Sequence, residues 1–271
     1  MKKITRPEDN KTVNSLWIGK RLSFMELLTI KSFMACGHVF RLWTYAELET
    51  RLPDGVEVMD ANEILPEHRV FRYKSTNQFG HGKGSVSGFS DIFRYKLLYE
   101  KGGWWVDMDV TCIKYLTFDE EYVFRPHHEL KVVGNVMKAP QRSELMKFCF
   151  EQAVEEVTEN NTDWHKPIHI LNHHIQALGL EQYIQPNFSN EDKWDEVKTY
   201  LSSNTSLPDN YLCLHWMNEE WRRREIDKYD FMIDSTYGAL LIKHGLIGDD
   251  FNWFNRKKNS LRHQLLNIFS N

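Results

Sequence analysis

The stretch Ser87–Ile113, SGFSDIFRYKLLYEKGGWWVDMDVTCI, decides how the rest of the chain is read. Phe89, Ile92, Phe93 and Leu97 recur at the three- and four-residue spacing of one helix face. Ser90 or Asp91 is the expected cap, and Gly102-Gly103 the expected stop, where the chain needs a left-handed residue. Trp104-Trp105-Val106 then opens a strand that delivers Asp107 and Asp109 to one side, since side chains two apart on a strand point the same way. Two adjacent carboxylates after an apolar run repel each other unless a cation lies between them. A hard divalent ion held through oxygen, Mg²⁺ or Mn²⁺, suits them and keeps positions open for phosphate oxygens. Asp91 and Arg94 lie one helical turn apart on a shared face. A guanidinium beside metal carboxylates is equipment for a diphosphate. The alternative is a solvated acidic turn beside a surface Asp–Arg pair.

Length and charge bound the rest. The chain has 271 residues, enough for one large α/β core. Its net charge of -4, from 38 acidic and 34 basic residues, gives no electrostatic basis for a nucleic-acid partner. Cys36, Cys112, Cys149 and Cys213 are widely spaced with no C-x-x-C, the pattern of buried thiols in a reducing compartment. The N-terminal MKKITRPEDNKTVNS lacks an apolar signal core, and no run of about 18 apolar residues occurs. A soluble, cytoplasmic protein is expected. Residues 256–271 read as a basic amphipathic helix that packs on the preceding domain (1–255) or lies peripherally on the anionic inner face of a membrane.

Taken in order, the chain alternates strands and helices. Ser15–Gly19, Phe40–Tyr45 and Val56–Asp60 read as strands, and Phe24, Leu27, Leu28 and Phe33 as a helix between the first two. This is the doubly wound pattern of a mainly parallel sheet with flanking helices, which binds ligands at the carboxyl ends of its strands. Gly80, Gly82, Gly84 and Gly88 lack the spacing of a phosphate-binding loop, and the segment is expected to be a mobile connection or a lid. Lys131–Met137 and Leu212–Trp216 read as later strands, and a helix is expected from about Ser143. His165, His169 and His173 are four apart, but Pro167 is expected to break the helix that would align them on zinc.

The run S-D-I-F-R-Y-x-x-L-Y-x-x-G-G-W-W-V-D-x-D-V resembles the DxD-containing sugar-binding region of glycosyltransferase family 32, which includes initiating mannosyltransferases and capsule and lipopolysaccharide transferases. It is also similar to the catalytic domain of the large glucosylating toxins. The resemblance implies a GT-A type α/β fold in a single domain. It further implies a retaining transferase that moves a hexose from a nucleoside diphosphate sugar, a UDP-sugar or GDP-mannose, to a glycan or lipid-linked glycan. On this reading Asp91, Arg94, Asp107 and Asp109 carry catalysis, with Asp107 and Asp109 on Mn²⁺ or Mg²⁺. The resemblance also implies that Trp17 stacks on the base, that Asn135 lies near the donor sugar, that His215 completes the metal or diphosphate site, and that the Trp221 indole reaches a phosphate oxygen. Two departures stand out: Glu220 occupies a position where serine is usual, and His-Ile-Leu-Asn-His-His (169–174) replaces a usual Gly-Pro pair. A metal-dependent nucleotide-sugar hydrolase and a non-catalytic sugar-nucleotide or glycan-binding protein are the competing readings. The hydrolase would cleave diphosphate undiminished without an acceptor; the binding protein would hold the donor without turnover.

Overall fold

Strand β1 (Thr12–Trp17) lies inside a six-stranded sheet and is followed by helix α1 (Phe24–Ala35) and strands β2 (Val39–Thr44) and β3 (Glu57–Asp60). The structure is a computed structural model that describes residues 10–186 and 188–248. The segment 256–271 lies outside the described residues. Helix α2 (Ser87–Lys101) leads into β4 (Gly103–Val106) and the short β5 (Val110–Cys112). Then come β6 (Val123–His127), β7 (Lys131–Ala139), α3 (Glu144–Glu156), α4 (Lys166–Ala177) and α5 (Trp194–Ser202). The described residues end with β8 (Cys213–His215), α6 (Asn218–Arg223) and α7 (Thr236–Lys243).

The sheet order is β3-β2-β1-β4-β7-β6. β3, β2, β1 and β4 run parallel, and β7 and β6 join antiparallel at one side. This is the mainly parallel α/β sheet with flanking helices that the sequence predicts, in a single domain. Its two faces are separated residue by residue along β4. Trp105 packs with α2, α3 and α4 residues such as Phe93, Leu145 and Ile170, whereas Trp104 packs with Ile30 and Phe33 of α1. Alternation along a strand produces this division. Two buried indoles have amide partners: Asn10 accepts from Trp104 Nε1 at 3.2 Å, and Asn14 accepts from Nε1 of Trp43 on β2 at 3.0 Å. A buried donor left unpaired costs more than such a bond returns, so asparagines at these positions let the tryptophans go inside.

Helix α2 begins earlier than its sequence suggests. Its N-cap is Val86, and the Ser85 hydroxyl accepts from Ser87 N–H at 3.2 Å, so neither Ser90 nor Asp91 is needed as a cap. Asp91 is thereby released to face Arg94. The stop falls as expected at Gly102, whose φ of 68 is left-handed. Pro167 does not interrupt a helix; it sits in the first turn of α4, where its missing N–H is not required. A separate two-stranded ribbon, β5 with β8, leaves the sheet beyond β4. It is backed by a third apolar cluster that joins α1, α5 and α7 around Trp216, Trp221 and Tyr237.

Candidate active site

Asp107 follows the last residue of β4, at the carboxyl end of the parallel strands. Its backbone N–H donates to Asn135 O on β7 at 2.8 Å, which fixes where the side chain starts. Asp107 Oδ1 accepts from Arg94 Nη2 at 2.9 Å and from Trp105 Nε1 at 2.6 Å. Arg94 Nη1 reaches Asp91 Oδ1 at 3.0 Å. The guanidinium is therefore a fork between two carboxylates, one from its own helix and one from the strand end. It lies only 4% exposed, and the close approach depends on Gly134 of β7: a Cβ there would stand 2.0 Å from Arg94 Nη1. Arg94 Nε is buried without a hydrogen-bond partner among the described residues. Burial, together with neighbouring Asp107, pushes the Asp91 carboxyl up to about 6 against the pull of Arg94. Burial also raises Asp107, with Asp109 adding to the shift and Arg94 opposing it.

Asp109 belongs to a second network. Its Oδ2 accepts from Asn218 N–H at 2.8 Å and lies 3.2 Å from His215 Nε2. His215 Nδ1 is 2.6 Å from Asp192 Oδ1. Asp192 in turn takes both Nη groups of Arg125, at 2.5 and 2.7 Å. Arg125 is 0% exposed and also donates to Asn190 O, Ser189 Oγ and Asn135 Oδ1. Asn190 clamps the His215 backbone at both its N–H and its carbonyl, at 2.8 and 2.9 Å. Burial works against charge on the His215 ring, but Asp109 and Asp192 outweigh it and push its pKa up to about 10. Burial likewise opposes charge on Asp192, and Arg125 and His215 overcome it, leaving that carboxylate well below its usual range. The chain takes left-handed backbone at Asp192 (φ 59) and Met217 (φ 56) on either side of this histidine. Non-glycine residues adopt that region at a cost, so the surrounding bonds hold both turns in place.

Both networks open on one cleft of about 610 Å³. Asp91, Arg94, Asp107, Asp109, Asn135 and His215 all line it, and so does Trp17 at the end of β1, whose indole N–H donates to Arg21 O at 3.1 Å. Trp221 does not. Its ring is 1% exposed in the third apolar cluster and its N–H is already given to Trp216 O at 2.9 Å, so the indole is turned away from any phosphate in the cleft. Glu220 does line the cleft, and it is paired with Arg223 at 2.8 Å and Arg224 at 3.2 Å, so its charge is answered within α6. The glycine-rich segment is not a loose connection. Gln78 exchanges hydrogen bonds with Asp163 and Trp164, and Arg222 Nη1 donates to Lys83 O at 3.0 Å.

The three residues expected to bind a metal do not converge: among the described residues no group of three or more His, Cys, Asp or Glu stands at metal-holding spacing. Asp107 is turned by Arg94 and Trp105, and this separates it from the other two. The pair Asp109 and His215 fits a divalent ion that displaces the Nε2 proton now lying between them. Their 3.2 Å separation is close to the span of two ligands on one ion, about 3 Å for bonds near 2.1 Å. The outer nitrogen of His215 rests on a carboxylate, the support that metal-bound imidazoles usually have. Asp107 Oδ2 carries no hydrogen bond among the described residues and faces the same cleft.

Sequence reasoning missed Arg125, Asp192, Asn190 and Gly134. No local pattern marks them, because each acquires its role only when β6, β7 and the 188–192 segment meet.

One family match falls on this region. Residues 43–131, about a third of the chain, match the family model described as a glycosyltransferase sugar-binding region containing the DXD motif. Among solved structures, the PaToxG glycosyltransferase is similar at 12% identity, covering 64% of this chain and 73% of that one, with a TM-score of 0.44. A transferase solved as a double cysteine-to-serine mutant is similar at 9% identity, covering 66% of this chain and 87% of that one, with a TM-score of 0.40. No curated protein matches. The matched segment carries Asp91, Arg94, Asp107 and Asp109; His215 and Asp192 lie beyond it.

Proposed function

We propose that this protein is a metal-dependent, retaining glycosyltransferase that moves a sugar from a nucleoside diphosphate sugar to a hydroxyl of a glycan or glycolipid. A UDP-sugar is the first candidate donor and GDP-mannose the second. The observation that carries the reading is the pair Asp107 and Asp109, opening on one cleft at the carboxyl ends of β1 and β4, one tied to Arg94 and the other to His215. Asp109 with His215 would hold Mn²⁺ or Mg²⁺, with Asp107 beside them; such an ion neutralises charge that gathers on a departing diphosphate.

The chain's own groups divide the remaining work. Arg94 holds Asp91 and Asp107 in fixed positions as acceptors for hydroxyls of the donor sugar or ribose. Because both its Nη groups are committed to carboxylates, it acts less as a free cation for phosphate than the sequence suggests. Asn218 N–H holds Asp109 and Asp192 holds the His215 ring in place before the reaction, so neither reorganises at the moment of reaction, the condition under which electrostatic stabilisation is most effective. Trp17 offers a face to the base, and Asn135 lies against the sugar. Retention follows from attack on the face that the diphosphate leaves, with the leaving phosphate taking the acceptor proton, so no enzymic nucleophile is required.

The test is a donor screen: UDP-glucose, UDP-galactose, their N-acetyl forms and GDP-mannose, each with Mn²⁺ and with chelator, read as nucleoside diphosphate release. Release from one donor that chelator abolishes is the expected result. Release from every donor at equal rates, indifferent to chelator, contradicts the reading.

A further inference from the structure

The cleft has a wall that the donor machinery does not use. It begins at Asn218, whose N–H holds Asp109, and continues through Glu219, which lies 3.5 Å from His81. From His81 it reaches Phe79, 49% exposed and the largest exposed apolar side chain lining the cleft. An exposed phenylalanine on a flexible loop tip would mean little. This one is held. Asn77 Oδ1 accepts from the N–H groups of both Phe79 and His81, at 2.9 and 3.3 Å. The Phe79 ring stacks on His81, with centroids 6.0 Å apart and planes at 22°, and is tilted at 54° to His165 with centroids 5.2 Å apart.

The glycines around it have a structural use. Gly82 (φ 95) lies flat against Trp164, and a Cβ there would stand 3.0 Å from that ring. The loop backbone can therefore close down on Trp164 and lift Phe79 into the mouth of the cleft. Gln78 is bonded to Asp163 and Trp164 on one side, and Lys83 O to Arg222 on the other, so the platform is fixed to both walls.

Building on the transferase reading, we infer that this wall is the acceptor subsite, and that the acceptor presents a pyranose ring whose C–H face stacks on Phe79 while Glu219 and the ring nitrogens of His81 and His165 take its hydroxyls. A pyranose has one apolar face and a polar rim. A rigid aromatic ring flanked by a carboxylate and imidazoles matches both. An alkyl chain would find the ring but would desolvate Glu219, His81 and His165 without giving them any hydrogen bond in return, which is costly.

The test uses methyl α-glucopyranoside, methyl β-galactopyranoside and methyl α-mannopyranoside as probes, with UDP and Mn²⁺ saturating. Saturation-transfer NMR on the wild type is compared with Phe79→Ala and Phe79→Tyr, and melting temperatures confirm that both variants fold. At least one pyranoside should bind, with transfer strongest to the protons of one ring face. Binding should weaken at least fivefold in Phe79→Ala and return in Phe79→Tyr. Equal binding to the wild type and Phe79→Ala, or no binding of any probe to the wild type, overturns the inference. The donor screen above reports separately on the parent reading. Pyranoside binding that depends on Phe79 without turnover of any donor would leave a pyranose-binding site at Phe79 and remove the transferase, and with it the acceptor role. Donor turnover with binding indifferent to Phe79 would do the reverse.

Discussion

Asp192 and His215 share a hydrogen bond of 2.6 Å, and the same carboxylate is gripped on both oxygens by the buried guanidinium of Arg125. The histidine beside Asp109 is thus held by a chain of alternating charges that ends deep in the protein. Arg125 supplies the fixed point, because at 0% exposure it has no freedom to follow solvent. The ring orientation at the cleft is in this way set through Asp192 by Arg125, which does not line the cleft.

Asp192→Asn should therefore be costly to the fold as well as to the site. It removes one partner of a buried ion pair and leaves the Arg125 charge uncompensated, a loss of about 3–5 kcal/mol in comparable cases. Urea unfolding of the variant measures it. A stability loss below about 0.5 kcal/mol, the size expected of an ordinary surface change, would show that the network does not bear on stability.

Gly134→Ala tests the Arg94 fork. The added methyl would lie 2.0 Å from Nη1 of a side chain that is buried and tied to two carboxylates, so neither group can yield without breaking a bond. The expected destabilisation is about 1–3 kcal/mol, the usual cost of overpacking, together with loss of nucleotide affinity. The variant's melting curve and a nucleotide titration check both. Wild-type behaviour in both would mean that Arg94 is free to move.

His38 should make the fold sensitive to acid. Its Nδ1 faces Asn10 O at 3.0 Å and its Nε2 accepts from Leu116 N–H at 3.0 Å, an arrangement only the neutral ring can satisfy. Burial holds its pKa down to about 4, against an ordinary 6.5. Between these values the unfolded chain binds more protons than the folded one, so stability is intact above 6.5 and falls as pH drops towards 4. With His38 only 4% exposed, the loss is about 2–3 kcal/mol. His38→Gln keeps a donor and an acceptor but does not titrate, so unfolding free energies measured from pH 7 to 4 should fall less in that variant. Parallel curves would contradict the assignment.

Much of the architecture was legible because it rests on short-range pattern. The α2 face and the Gly102 stop follow from periodicity within a few residues, but the strand alternation expected to set Asp107 beside Asp109 does not hold, because β4 ends at Val106 and both aspartates lie in the turn before β5. Trp221 shows where such reasoning fails. A motif can place an indole six residues after a histidine, but not say which side of a six-residue helix packs inward, and here the apolar cluster around Tyr237 takes it. Arg125 and Asp192 lie 67 residues apart, and only the meeting of β6 with a distant loop pairs them. The position of Asp107 away from the other two expected ligands has the same origin, since Arg94 can reach it only because β7 carries a glycine opposite.

The cleft built on Asp107 and Asp109 should take a nucleoside diphosphate together with a divalent ion. Calorimetric titration of UDP and GDP into the wild type and Asp109→Asn, each with Mn²⁺ and with chelator, tests it most directly. One nucleotide should bind the wild type with Mn²⁺, and chelator or Asp109→Asn should weaken this at least tenfold, a difference of about 1.4 kcal/mol. Binding that is equally tight in all conditions, or absent in all of them, would contradict it.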